Sequence, residues 1–520
     1  MASITALDSL GTIYTAIVVL VVGLVVYVSA SKHQPYPGIP IASLESRPWY
    51  KFWILRKAEY TIHGSRLIEK GKQLTSGCFQ VQAGAGYKII LPNRFAREIG
   101  NLNQLSFTEI GRRDFHIDLP GFEGVKEGFR ADGLMFDVVR IKLTQNLALV
   151  TEIVVDETPL ALQKLLGGID EWQTVVIKDT ILDVVAWVST RVFAGKELAR
   201  DENWRRVSKE YTMLLFRNAH ALRRFPAFIR PVMNWLLPSC SLMRERLQQS
   251  RKLVGRQLEN RLEKRGKQSW DAEGNLNKDI DCFHWMIDLA KGRPLDFPGA
   301  QLQLGVVAIN TTSEVLVRCI LQMCDTPDIV PALREEMIQV LCKHGWANSS
   351  LSQMKLLDSF IKENQRFYSM WNTTMARVAT ENISLSDGTT IPAGAFVMTM
   401  NDRLRDPDKY QDPDKFDAYR FLKLRSRPGE ETNHQYATVT PDNLGFGYGD
   451  HACAGRFFAS NVVKVVLCFL VLMYDFEYED GGARFPLIES ENAIFVHPGN
   501  RVRIRGRKVE IDLIDPTSRC

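Results

Sequence analysis

A chain of 520 residues, 45% hydrophobic and 24% charged, has enough apolar material to enclose a large cofactor, and its composition excludes a disordered or low-complexity protein. The net charge of +5 is spread along the sequence, which excludes the concentrated basic surface of a nucleic-acid-binding protein; no nucleic acid is expected as a partner. Nine cysteines, at 78, 240, 282, 319, 324, 342, 453, 468 and 520, are dispersed without a Cys-x-x-Cys pair, which argues against zinc and fits a reducing compartment better than a disulfide framework.

Gly11 to Ala30 carries no charge, and at ~1.5 Å per residue these twenty residues span ~30 Å, the hydrocarbon thickness of a bilayer. A cleaved signal peptide needs a basic start, yet Asp8 is the only charge before the run. Lys32, His33, Arg47, Lys51, Arg56 and Lys57 follow it, and the positive-inside rule leaves the rest of the chain in the cytosol. The expectation is a membrane anchor over 1–31. A Pro-rich hinge over 32–44 follows, because Pro35-Tyr36-Pro37-Gly38-Ile39-Pro40 is stiff and non-helical. No linker or repeat divides the remainder, so 45–520 is read as one domain despite a length prior of ~150 residues per domain.

Strands are expected at 78–83 and 87–91, on either side of the Gly84-Ala85-Gly86 turn. From 132 to about 342 the pattern is mostly helical, with polar breaks near 200 and 265–280. A long helix is expected over 298–324, entered by Pro298 and closed near Pro327. Inside it, Asn310 to Ser313 are four consecutive polar residues that cover every face of one turn. At least one of them points inward and needs a partner or water. A second helix is expected over 352–368, where Glu363 and Arg366 share one face. Short β pieces follow at 373–379 and 391–400. A loop rich in Asp, Pro and Lys spans 401–443, and further β pieces lie at 476–513. The fold class is thus mainly α with small β-sheets.

The most informative stretch is Phe446-Gly447-Tyr448-Gly449-Asp450-His451-Ala452-Cys453-Ala454-Gly455, directly before an apolar helical run. A lone thiolate that ligates iron needs a loop whose amide N–H groups point at sulfur. Gly449 and Gly455 permit that geometry and close approach. The helix after it aims its positive N-terminal end at the anion. Phe446 would cover the ligand from water.

These residues resemble the cysteine loop of cytochrome P450 heme-thiolate monooxygenases, with His451 where Arg is usual. Glu363-Asn364-Gln365-Arg366 and Phe416-Asp417-Ala418-Tyr419-Arg420-Phe421 are similar to two further elements of that family, and Val307-Ala308-Ile309-Asn310-Thr311-Thr312 to its oxygen-activation element. The resemblance covers essentially 35–515, and its texture is that of membrane-anchored fungal members in secondary-metabolite pathways.

The resemblance implies a cytochrome P450 fold preceded by a single N-terminal transmembrane helix, with heme b (iron protoporphyrin IX) as cofactor. It makes Cys453 the metal ligand, with Phe446 and Gly449 shaping its loop. Arg140, Arg377 and His451 become the propionate partners, Phe136 standing where the family has Trp ahead of Arg140. It puts Thr311 and Asn310 in proton delivery, although Asn310 replaces the usual acid and Ala308 the usual Gly. The bland alternative is a Thr311 hydroxyl bonded back to a helix carbonyl. Glu363, Arg366 and Arg420 are expected to form a structural cluster that locks the cysteine loop. Phe115, Leu119, Phe122, Ala308 and Trp371 are candidates to line an apolar pocket.

The implied activity inserts one atom of O2 into an unactivated C–H bond of a small apolar substrate, terpenoid-like or related. The chain shows no flavin or nicotinamide domain, so NADPH–cytochrome P450 reductase is the expected electron donor, attracted by Arg140, Lys142, Lys423 and Arg425. The expected location is the endoplasmic reticulum membrane, single-pass, with the catalytic domain cytosolic. The alternatives are a reductase-independent heme-thiolate isomerase or dehydratase, and a non-enzymatic heme-binding membrane protein.

Overall fold

Apolar residues at helical spacing bury one face of each helix against its neighbours, and helices make up most of the chain. The computed structural model describes residues 23, 34–44, 53–167, 170–265 and 281–518. Apart from Gly23, the expected anchor over 1–31 lies outside the described residues, as does most of the polar break at 265–280.

The central element is the helix Phe297–Asp325. Asp296 caps it by accepting from the Gly299 N–H at 3.2 Å, and Pro298 sits in its first turn. It packs against the helices Ile177–Arg200, Pro238–Arg265 and Arg456–Met473. Both Phe297–Asp325 and Arg456–Met473 are long and apolar enough to cross a membrane, and both are mostly buried in the protein core. The expected 352–368 helix is in fact two, Asn348–Gln353 and Lys355–Phe367. Met354 breaks them, and the Glu336 carboxylate accepts from the Leu356 and Leu357 N–H groups at 2.7 and 2.8 Å, closing the second helix's open end.

The strands, in chain order, are β1 (Phe79–Ala83), β2 (Gly86–Leu91), β3 (Leu105–Ser106), β4 (Gln173–Val176), β5 (Thr373–Ala379), β6 (Ile383–Ser384), β7 (Thr390–Ile391), β8 (Phe396–Met400), β9 (Tyr474–Tyr478), β10 (Ile488–Ser490), β11 (Ala493–Phe495) and β12 (Arg501–Gly506). The largest sheet runs β1-β2-β8-β5-β3; β2 and β8 are parallel and the other pairs antiparallel. β4 was hidden in the sequence because its four residues interrupt a long helical pattern; it is held by β12. The Pro-rich segment is non-helical, as its prolines dictate, and it lies on β1. There the fully buried Gln80 side chain donates to the Tyr36 and Ile39 carbonyls at 2.9 and 2.7 Å. Among the described residues, seven cysteines carry free thiols and Cys342 is disulfide-bonded.

Two buried ionic clusters tie these layers. In the first, Arg366 forms a bidentate pair with Glu363, both N···O distances 2.8 Å, and Arg420 Nε meets both Glu363 oxygens at 3.1 Å. The remaining guanidinium protons go to the carbonyls of Leu404, Gln411, Asp412, Pro413 and Lys415. The cluster therefore pins the 404–417 loop, not the cysteine loop as expected. Removing one partner would leave an uncompensated interior charge, at a cost of roughly 3–5 kcal/mol.

In the second cluster, Lys88 on β2 pairs with Asp114 at 2.8 Å, and Arg223 reaches Asp114 at 3.6 Å and Glu491 at 3.3 Å. Beside it sits His116, 5% exposed, with a positive φ of 50°. Burial, aided by the charges of Arg230 and Arg223, holds the His116 imidazole down to about 4 from 6.5. Its folded value lies below its unfolded value, so the unfolded chain takes up the proton first. The stabilisation from a neutral His116 is complete above pH 6.5 and is lost as the pH falls toward 4. The unfolding free energy is expected to drop by about 3 kcal/mol across that window in denaturant titrations. The variant His116→Asn, whose side chain tolerates the positive φ, should flatten the slope.

Candidate active site

The cysteine loop is a folded unit before any ligand is considered. Gly447 donates to the Leu444 carbonyl at 2.9 Å, Ala452 to Gly449 at 2.9 Å, and Cys453 to Phe446 at 2.8 Å. Gly449 has φ 76°, and a Cβ there would lie 2.2 Å from the Gly100 carbonyl oxygen, so only glycine fits. Gly447 shares the left-handed backbone at φ 71° and escaped the sequence reading, although its place between Phe446 and Gly449 was a signal for a second tight turn. Gly455 corrects an expectation: its φ is −87°, and a Cβ would make only an ordinary contact, 3.7 Å from Val139. What it contributes is a backbone N–H near the Cys453 sulfur, which lowers the thiol against the effect of burial. Phe446 is half-buried and sets its ring edge-on to Tyr436, with centroids 5.2 Å apart.

Cys453 is exposed, yet surrounding protein desolvates it enough to push its thiol up, against the lowering effects of the Gly455 N–H and the Arg456 charge. The sulfur is thus accessible within a largely enclosing shell of protein. The central helix likewise leaves one stripe uncovered. Every residue from 299 to 323 is buried except Gln303, Val307, Asn310 and Thr311. Their spacing of four, three and one places all four on one helical face. Val307 is the most exposed of the four, at 50%. Thr311 donates its hydroxyl proton to the Val307 carbonyl at 2.8 Å, the bland alternative named above, which leaves its oxygen as an acceptor.

Cations gather at one side. β5 slips register between Thr374 and Arg377, with Met375 at φ 52°, and such a bulge re-aims the residues beside it. Arg377 is 6% exposed and donates only to the Ala376 carbonyl; no carboxylate meets it among the described residues. Desolvation alone lowers its guanidinium to about 10. His451 lies close by, its imidazole held below the usual value by burial and by the Arg377 charge. Phe107 bridges the two: its ring stacks on His451 at 5.8 Å, and the Arg377 guanidinium lies 5.5 Å from its centroid. Arg140 stands apart. Its side chain is 59% exposed, 3.9 Å from Asp137 and 5.4 Å from the Phe136 ring, and it contacts neither Arg377 nor His451.

Other expected residues divide. Phe115 joins an aromatic row with Phe129 at 5.5 Å and Phe216 at 6.0 Å, and Phe107 stacks on Phe129 at 5.1 Å. Leu119 is partly buried against the adjoining core, and Trp371 meets Phe495 edge-on at 6.5 Å. Phe122 is fully buried and so belongs to the core, not to the wall of an open pocket; Ala308 is likewise buried. Arg425 is not a surface cation: it is buried against Asp358 at 3.3 Å and the Glu431 carbonyl. Lys423 remains exposed, paired with Asp417 at 2.9 Å.

A heme fits these residues. It would bring carboxylates to a buried guanidinium that has none and an iron to a thiol that faces inward. Removing the unpaired charge with Arg377→Met should therefore have opposite effects on two forms of the protein. Heme-free protein is expected to gain up to about 3 kcal/mol in denaturant unfolding, since a drop from 12.5 to about 10 measures the cost of that charge. Heme-loaded protein should release its cofactor faster. Equal losses in both forms would make Arg377 a structural residue only.

Comparison with known proteins agrees with this geometry. Residues 139–503 match the family model described as cytochrome P450. A cytochrome P450 monooxygenase of Alternaria brassicicola, bsc11, is 37% identical over 93% of this chain and 92% of its own length. A second from the same fungus, bsc2, is 35% identical over 97% of each. The Aspergillus fumigatus monooxygenase pyr3 is 33% identical over 92% and 91%. A match that spans the site and most of the chain leaves one conclusion: the protein belongs to the cytochrome P450 family, as an oxidoreductase of the monooxygenase type whose cofactor is heme b with an axial cysteine thiolate.

Proposed function

We propose that the protein hydroxylates an unactivated C–H bond of an apolar, terpenoid-like intermediate of fungal secondary metabolism. One oxygen atom of O2 enters the substrate and the other leaves as water, and NADPH supplies both electrons through NADPH–cytochrome P450 reductase. The observations that support this reading are an accessible Cys453 held in a folded loop directly before the Arg456–Met473 helix and a buried Arg377 that no carboxylate meets among the described residues.

Heme b, when bound there, supplies oxygen binding and reductive O–O cleavage. Cys453 is the proposed ligand. The Gly455 N–H and the start of the Arg456–Met473 helix stabilise its anion. Gly449 and Phe446 hold the loop that presents it. The Arg377 guanidinium and the His451 imidazole N–H are the paired donors for one propionate, and Arg140 serves the other from the exposed side. The Thr311 oxygen accepts a hydrogen bond from a water, and the Asn310 amide orients that water. An amide cannot give up a proton and regain it as an acid does, so the transferred proton comes through water. The apolar row Phe107, Phe129 and Phe115 excludes bulk water and favours a hydrocarbon surface.

The proposed organisation is an anchor over 1–31, a hinge over 32–44 and a catalytic domain over 45–520, single-pass in the endoplasmic reticulum membrane. The uncharged run from Gly11 to Ala30 supports it. Exposed Arg140 and Lys423 are candidates to meet the acidic reductase.

Reconstitution with the reductase and a panel of polycyclic terpenes under labelled O2 tests the reading. Label is expected in an alcohol product, only when both NADPH and reductase are present. Thr311→Ala should lower product per NADPH consumed by ~10-fold or more while consumption continues. Conversion of a hydroperoxide without NADPH or reductase would replace this reading with an isomerase or dehydratase.

A further inference from the structure

The four unburied residues of the central helix are not chemically uniform. Asn310 and Thr311 lie at one end of the stripe, Val307 is apolar in the middle, and Gln303 stands alone at the other end. Eight residues separate Gln303 from Thr311, a rise of ~12 Å along the helix. The carbonyl oxygen of Gln303 is buried and accepts no hydrogen bond among the described residues. Such an atom is costly to leave unpaired, by roughly 1–3 kcal/mol.

The surroundings explain how Gln303 is held. The 127–129 turn passes directly over its amide, and a Cβ on Gly128 would lie 2.2 Å from Gln303 Nε2. A side chain at 128 would push the Gln303 amide aside. The next residue, Phe129, begins the aromatic row that runs through Phe107 toward Arg377 and His451. A polar amide is thus placed where apolar rings meet an interior helix face. The last torsion of a glutamine is broad and nearly two-fold, so either amide end can turn toward the stripe.

We propose that Gln303 is a specificity-determining residue, and that it reads a hydroxyl group at the end of an elongated apolar substrate, ~12 Å along the helix from Thr311. A hydroxyl both donates and accepts, so it satisfies the amide in either orientation. Val307, between the two polar ends, faces the hydrocarbon body of the molecule. The substrate therefore arrives already carrying an oxygen function remote from the carbon to be oxidised. This inference rests on the monooxygenase reading above and narrows its substrate class.

Heme-loaded, full-length protein is titrated with 5α-androstan-3β-ol and with 5α-androstane, rigid apolar probes that differ by one terminal hydroxyl, and binding is followed by the shift of the heme Soret band. Wild type is expected to bind the alcohol ~10-fold more tightly than the alkane, the worth of one well-placed hydrogen bond. In Gln303→Leu the ratio of alcohol to alkane affinity should fall to about one, and Gly128→Ala, which displaces the amide without removing it, should also reduce it. Equal binding of the two probes by wild type, no binding of either, or a ratio that survives Gln303→Leu would overturn the assignment. The reduced, carbon-monoxide-bound spectrum of the same samples separates the two levels. A thiolate-type spectrum without the preference refutes Gln303 alone, whereas loss of that spectrum in wild type overturns the monooxygenase reading and this inference together.

Discussion

Arg377 carries a positive charge into a dry interior where no carboxylate of the described protein meets it. A fold ordinarily avoids such a group, because removing a charge from water without a partner is among the most expensive acts in protein architecture. The surrounding structure nevertheless commits to it: a bulge in β5 turns Arg377 inward, and Phe107 lies between it and His451. Cys453 presents the complementary demand. It is a thiol that burial disfavours as an anion, with a backbone N–H and an arginine already arranged to favour that anion. Both conditions are met by one bound group that brings carboxylates and a metal ion into the space between them.

The rest of the fold serves to keep that space rigid. Glu363 anchors two arginines that spend their remaining protons on loop carbonyls, which fixes the 404–417 segment to the helix Lys355–Phe367. The cysteine loop is held separately. Gly445 abuts Gln365, Leu444 donates to Asn401, and Gly449 is pressed against Gly100 so closely that no side chain fits. A one-residue slip anywhere in that loop would turn the sulfur away from the Gly455 N–H. Loop and helix are locked by different contacts, and the geometry of the ligand does not depend on a single interaction.

How much of this was legible in the sequence depended on how local each feature is. The cysteine loop, the long helix with its polar turn and the Glu363–Arg366 spacing are short-range patterns, and each lies in the element expected of it. Arg420 falls in the same cluster because an interior carboxylate needs more than one partner. Features that depend on packing were not legible. The isolation of Arg377 follows from a bulge that no residue type announces. Arg425 and Phe122 look like surface and pocket residues until a neighbouring Asp358 or an adjoining helix claims them. Gly455 looked like a steric necessity by analogy with Gly449, but its backbone is ordinary and its amide is what matters. The role of Gln303 was invisible for the same reason, since helical periodicity cannot say which polar side chain of a mostly buried helix is left without a partner.

The central claim is that Cys453, and no other group, places its sulfur on a heme iron in this space. The most direct measurement is the reduced, carbon-monoxide-bound difference spectrum of purified, heme-supplied protein beside Cys453→Ser, with folding checked by circular dichroism. The account predicts a strongly red-shifted Soret band in the wild type that disappears in the variant while the helical signal is kept. A well-folded wild type without the band, or a variant that retains it, would contradict the account.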